Sequence, residues 1–151
     1  PKTPRIPVAP VATRGHGQQW VTPTSLTELA EMMIAWRGTR FRLVHGNTSF
    51  GVYKDEYPAT ERFIDVRLIP ELHHSGRIVG DDLIVSAGTT YNDFLNLLSE
   101  PMSVYQTTTL TALDFMARRP AGRIIRNAAS LGGNTMLVLK HIASGTGPPF
   151  P

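Results

Sequence analysis

FRLVHGNTSFGVY, residues 41–53, sends a short apolar strand into two glycines and a cluster of small polar residues. A simple turn needs one residue able to take positive φ, and this loop supplies Gly46 and Gly51 with Asn47, Thr48 and Ser49 between them. Successive N–H groups turned to one side of such a loop attract an anion such as pyrophosphate, and the Thr48 and Ser49 hydroxyls add donors. From this motif alone an exposed strand-to-strand turn reads equally well. The nucleotide P-loop is a sharper rival, because Gly46 and Gly51 have its G-x-x-x-x-G spacing. Val52 and Tyr53 stand where that loop needs Lys and Ser/Thr, so nothing neutralises a triphosphate or holds its magnesium. The dinucleotide fingerprint G-x-G-x-x-G is absent as well.

Working outward, VTPTSLTELAEMMIAW places Leu26, Leu29, Ala30 and Met33 on one helical face. Ser25 and Glu28 have capping-box spacing, and Gly38 ends the helix. RFRLV reads as a strand before the loop and ERFIDVR as one after it, with Pro70 closing that stretch. DDLIVSAGTT gives a third strand, and Thr90 caps a helix whose buried stripe is Tyr91, Phe94, Leu95 and Leu98. TLTALDFMARR predicts a further helix stopping at Pro120. Residues 121–134, AGRIIRNAASLGGN, read as a long loop, and TMLVLKHI is ambiguous between strand and helix. The class is α+β, a mixed α/β chain with helix and strand alternating through its first half.

The second glycine loop carries Ser130, the adjacent pair Gly132 and Gly133, and Asn134. Arg118, Arg119, Arg123 and Arg126 lie near it, with no acid between positions 115 and 134. Arginine at this density favours a phosphate, although a solvated face is the usual reason for such a run. Two glycine loops with small polar residues suggest one anionic ligand held from two sides.

Composition narrows the classes. The net charge of +3 resides in residues 1–17, which hold Lys2, Arg5 and Arg14 and no acid; the rest of the 151-residue chain is balanced. A neutral body lacks the coherent positive face that nucleic acid requires. There is no Cys, which removes thiolate metal sites, iron–sulfur ligation and cysteine nucleophiles and fits an intracellular protein. No apolar run approaches the roughly 20 residues that span a bilayer. The proline-rich stretch 1–17 reads as an extended linker, and both ends read as cuts through a longer polypeptide.

The pairing of LVHGNTSFG with IRNAASLGGN, and FIDVRLIPEL between them, resembles the FAD-binding domain of the molybdenum hydroxylases, a family that includes xanthine dehydrogenases, aldehyde oxidases and carbon monoxide dehydrogenases. The likeness covers about residues 20 to 134, and GNTSFGVYKDEY leans toward the aldehyde oxidase and xanthine dehydrogenase branch. It implies a two-lobed flavin domain of the p-cresol methylhydroxylase (PCMH) and vanillyl-alcohol oxidase type. A small α/β lobe would occupy residues 18–70, and the first part of a second lobe residues 71–151.

It also implies non-covalent FAD. Leu43, Val44, His45, Gly46, Asn47, Thr48, Ser49 and Phe50 match the first flavin-contacting segment, with the backbone at Gly46, Asn47 and Thr48 near the pyrophosphate. Ser130, Leu131, Gly132, Gly133 and Asn134 match the second segment. Ala121 and Gly122 match a pair lining the pocket toward the ring system; relatives often carry an aromatic before that pair, where this chain has Pro120. Molybdopterin and [2Fe–2S] clusters would sit in other domains of the intact enzyme, with electrons leaving FAD for NAD⁺ or O₂. Homodimers are common among such enzymes, and the expected location is cytoplasmic or peroxisomal.

Other candidates carry less. His73 and His74 are adjacent, so on a strand they point to opposite faces and cannot share a metal. His45 reads more readily as packed or solvated than as a cofactor contact, and His16 and His141 lack ligand partners at useful spacing. Asp55 with Glu56, and Asp81 with Asp82, read as solubilising turns. No residue presents itself as a catalytic acid, base or nucleophile. Two rival readings are an interaction domain using the arginine-rich loop 118–126 on an acidic partner, and a degenerate nucleotide-binding module.

Overall fold

From the N-terminus the chain forms β1 (Ala12–Gly15), β2 (Gln18–Val21), α1 (Leu26–Ala35), β3 (Phe41–Val44), a 3₁₀ turn at Thr48–Gly51, α2 (Glu56–Ala59) and β4 (Arg62–Asp65). A second 3₁₀ turn at Pro70–Leu72 leads to β5 (Arg77–Val79), β6 (Asp82–Ile84), α3 (Tyr91–Val104), α4 (Thr108–Ala117), α5 (Arg123–Arg126) and α6 (Leu131–Ala143). The structure is a computed structural model and describes residues 12–15, 17–53, 56–73 and 76–145. Residues 1–11 of the expected linker, His16, Asp55, His74 and the end segment 146–151 lie outside the described residues.

The first sheet has the order β1-β2-β4-β3, with β2, β4 and β3 mutually parallel and β1 antiparallel to β2. Both faces of the central strand β4 are covered, as parallel strands require. On one face Phe63 is fully buried, its ring stacked 4.4 Å from Trp20 of β2 and 4.7 Å from Tyr57 of α2. On the other, Ile64 packs with Val21, Val66, Ile69 and Leu29 of α1. Helix α1 begins as expected, with Ser25 Oγ accepting from the Glu28 N–H; the Glu28 carboxylate reaches back one residue further, to the Thr24 N–H at 2.7 Å.

A second apolar cluster gathers Tyr91, Phe94 and Leu98 of α3 with Ala117 of α4, flanked by Leu83, Leu110, Leu113 and Leu131. The stripe read as core packing in α3 is therefore core. That helix runs on through a buried Pro101 to Val104.

Three expectations change. Ala12–Gly15, inside the stretch read as linker, pairs with β2, and neither strand was anticipated. The third strand is only Asp82–Ile84 and forms a separate hairpin with β5. Residues 121–134 are not one loop: they contain α5, and Leu131 already opens α6, which settles TMLVLKHI as helical.

Candidate functional site

β3 and β4 run parallel with Leu43 opposite Ile64, so both end on the same edge of the sheet. Beyond the carboxyl ends of such strands the main chain diverges and leaves a crevice. The chain leaving β3 there holds Asn47 in the left-handed conformation, φ 52°, and enters the 3₁₀ turn at Thr48. Among the described residues no hydrogen bond uses the N–H groups of Gly46, Asn47, Thr48 or Ser49. Beside them Arg42 Nη2 donates to Ser49 Oγ, which sets a guanidinium against the loop.

The second segment is organised differently. Ser130 caps α6, accepting from Gly133 N–H at 3.1 Å. Leu131 N–H donates to the Thr89 carbonyl at 2.9 Å, Gly132 N–H to the Ala87 carbonyl at 2.8 Å, and Asn134 N–H to the Ser130 carbonyl at 3.1 Å. All four amides from Leu131 to Asn134 are therefore spent inside the protein. The expectation that both glycine loops hold one anion does not fit this geometry, because the second loop has no backbone amide left to offer. What Gly132 supplies is closeness, since a Cβ there would lie 2.7 Å from the Ala87 carbonyl oxygen.

The two segments meet. A Cβ on Gly46 would fall 2.0 Å from the carbonyl oxygen of Ala128, two residues before Ser130. Together they border one cleft of about 1030 Å³, ample for a dinucleotide-sized ligand. Leu43, Val44, His45, Gly46, Asn47, Thr48, Ser49, Ala121, Ser130, Gly132, Gly133 and Asn134 line it; Phe50, Gly122 and Leu131 do not. Sequence reasoning missed Ala87 and Gly88, Tyr91, Met136, Leu137 and Lys140, whose only signal was position on the elements flanking the glycine motifs. The walls are mostly apolar. Their ionised side chains are Arg40, which pairs with Glu61 at 2.9 Å, Arg42 and Lys140, and among the described residues no carboxylate lines the cleft.

The arginine-rich stretch turns out to be largely committed elsewhere. Arg118 pairs with Asp114 at 2.7 Å, Arg119 lies over the Phe115 ring at 3.5 Å, and Arg126 donates to backbone carbonyls. This weakens the reading of residues 118–126 as a docking patch for an acidic partner.

The His45 ring lies 5.1 Å from that of His73 and beside the Gly88 backbone. Both of its ring nitrogens, and Nε2 of His73, are buried without a hydrogen-bond partner. Burial, then the neighbouring His73, pushes the His45 pKa below its ordinary 6.5; Arg67 acts the same way, while the Ala128 backbone and Asp65 oppose. The unfolded chain thus takes up this proton first as pH falls. The His45 contribution is complete above about 6.5 and declines below it, by at most about 1.4 kcal/mol per pH unit, until the folded group also protonates. Urea midpoints at pH 7.5 and 5.5 should show a drop that shrinks in His45→Leu; an equal drop in both proteins refutes it. His141, the other described histidine, stacks toward Tyr53 at 5.4 Å. Among the described residues no group of three or more His, Cys, Asp or Glu is placed to hold a metal, and no helix is long and apolar enough to cross a membrane.

Comparison with known proteins agrees with this architecture. The solved CO dehydrogenase from Oligotropha carboxidovorans superimposes with a TM-score of 0.66 at 22% identity, over 83% of this chain and 41% of that one. Quinoline 2-oxidoreductase from Pseudomonas putida 86 gives 0.60 at 22% identity, over 78% and 38%. Among curated relatives, aldehyde oxidase 2 of Cavia porcellus is 35% identical over 135 residues, covering 86% of this chain and 10% of its own length. An indole-3-acetaldehyde oxidase of Arabidopsis thaliana is 34% identical over 122 residues, covering 79% and 8%. The chain thus spans about a tenth of the length of these oxidases. Residues 14–148 match the family described as "FAD binding domain in molybdopterin dehydrogenase", and the chain belongs to that family.

Proposed function

We propose that this chain is the FAD-holding part of an aldehyde oxidase-like molybdenum hydroxylase, and that its diphosphate lies against the loop Gly46–Ser49. The observation that carries the reading is the run of four N–H groups at that loop that no hydrogen bond among the described residues uses, beside Arg42, in a cleft that no carboxylate among those residues lines. Ser130, Gly132, Gly133, Asn134 and Ala121 act as the facing wall, contributing shape and close approach. Residues 18–70 are the first lobe and residues 71–151 the first part of the second.

When bound, FAD supplies the redox chemistry: it accepts electrons and passes them on. The chain's own residues bind and orient it. Apolar walls exclude water, the loop amides and Arg42 hold negative charge, and no side chain needs to move a proton. In the intact enzyme, electrons would come from [2Fe–2S] clusters fed by a molybdopterin centre and leave for NAD⁺ or O₂. Those clusters would belong to other domains, since this sequence has no Cys. A cytoplasmic or peroxisomal home and a homodimeric assembly follow the same proposal.

The test is to mix the chain with FAD, remove free flavin by gel filtration, and record the visible spectrum. Flavin bands should stay with the protein and disappear on acid precipitation into the supernatant, since binding is non-covalent. Thr48→Glu, which sets a carboxylate beside the loop amides, should weaken binding about a hundredfold. Retention of flavin unchanged by Thr48→Glu would remove the loop from the site.

A further inference from the structure

The rim of the cleft at Pro120 and Ala121 is held from outside it. Ala121 has φ 47°, a left-handed conformation that a residue with a Cβ seldom adopts. Arg126, which does not line the cleft, directs one guanidinium nitrogen at three carbonyls around that residue. Its Nη1 donates to the carbonyls of Ala121 at 2.7 Å, Arg118 at 3.0 Å and Pro120 at 3.4 Å. The carbonyl of Arg118 lies at the C-terminal cap of α4, where a positive charge is favoured by the helix dipole. Arg126 is itself steadied from α3: Nε donates to Asn92 Oδ1 at 3.4 Å, while the Asn92 amide donates to the Arg123 carbonyl at 3.2 Å and to Asn127 Oδ1. Its own N–H closes the turn onto the Gly122 carbonyl at 3.0 Å.

From this we infer that Arg126 is a positioning residue for the cofactor cleft: its guanidinium clamps the carbonyls of Arg118, Pro120 and Ala121, fixes Ala121 in its left-handed turn and so sets the cleft wall at Pro120–Ala121. A planar fork suits this task and an ammonium does not, because only the guanidinium can reach converging carbonyls and Asn92 at once. A helix cap alone would require the Arg118 carbonyl; it would not require the bond to Ala121, the shortest of the three. The effect on ligand binding rests on the flavin reading, whereas the effect on Ala121 does not.

The experiment compares Arg126→Ala and Arg126→Lys, each with and without Ala121→Gly, using NMR Cα and Cβ shifts of residue 121 and FAD titration. The Ala121 shifts should leave their left-handed values in Arg126→Ala and move partway in Arg126→Lys. FAD binding should weaken about tenfold in Arg126→Ala, and by under about threefold when glycine stands at 121, because glycine takes positive φ without a Cβ penalty. Ala121 shifts unchanged in both Arg126 variants would overturn the inference, as would equal loss of affinity in the two backgrounds. If the parent chain binds no FAD, the flavin reading falls and the Ala121 shifts alone decide the role of Arg126.

Discussion

Gly46→Ala should lower the unfolding free energy by about 3 kcal/mol, at the upper end of overpacking penalties. The added Cβ would sit 2.0 Å from the carbonyl oxygen of Ala128 and 2.6 Å from its carbonyl carbon, and these are backbone atoms that no rotamer change can move aside. Either the β3 loop retreats from Ala128 or the Ala128 peptide shifts. Gly122→Ala is the matched control in the other candidate segment. Its Cβ would meet nothing within 4 Å and its φ of −81° suits alanine, so the change should stay within about 0.5 kcal/mol. Urea denaturation of both variants decides the matter; a Gly46→Ala protein as stable as its parent would mean that the two segments do not touch.

Phe63→Ala should cost about 3–5 kcal/mol. The ring is fully buried on the central strand, paired in register with Trp20 and stacked on it with 12° between planes, and Tyr57 covers it from α2. Removing it leaves a cavity bounded by two aromatic rings fixed on separate elements, which limits how far the site can collapse. Phe63→Leu should recover more than half of the loss by refilling much of the volume. Chemical denaturation is again the measurement, and a loss under about 1 kcal/mol for Phe63→Ala would show that β4 is not the keystone of the sheet.

Where local chemistry decides an element, the sequence was readable. Ser25, Thr90 and their helices follow from cap and stripe spacing, and Asn47 takes the left-handed turn that its neighbours suggest. β2 escaped because QQWV has no alternation of its own; it is a strand because Gln19, Trp20 and Val21 pair with residues 62–64, more than forty positions away. The start of α6 escaped because two glycines are poor helix formers. Its first turn is held instead by the Ser130 cap and by N–H bonds to the carbonyls of Ala87 and Thr89, partners that only the fold supplies. The same bonds explain why the second glycine segment offers a close wall and no amides. Beside the arginine run, Asp114 stands just before the acid-free window, four residues from Arg118, and pairs with it. The sequence read Gly46 as a point of close approach to a ligand or an exposed turn; it could not say that Ala128 fills the space a side chain would need.

Amide NMR during FAD addition tests the central claim most directly, because it separates the two loops by the state of their N–H groups. Resonances of Asn47, Thr48 and Ser49 should move far downfield as they acquire an anionic acceptor, while Gly132 and Gly133 keep their internal hydrogen bonds and slow hydrogen exchange. Saturation with FAD that leaves the Asn47–Ser49 amides unmoved would contradict the account.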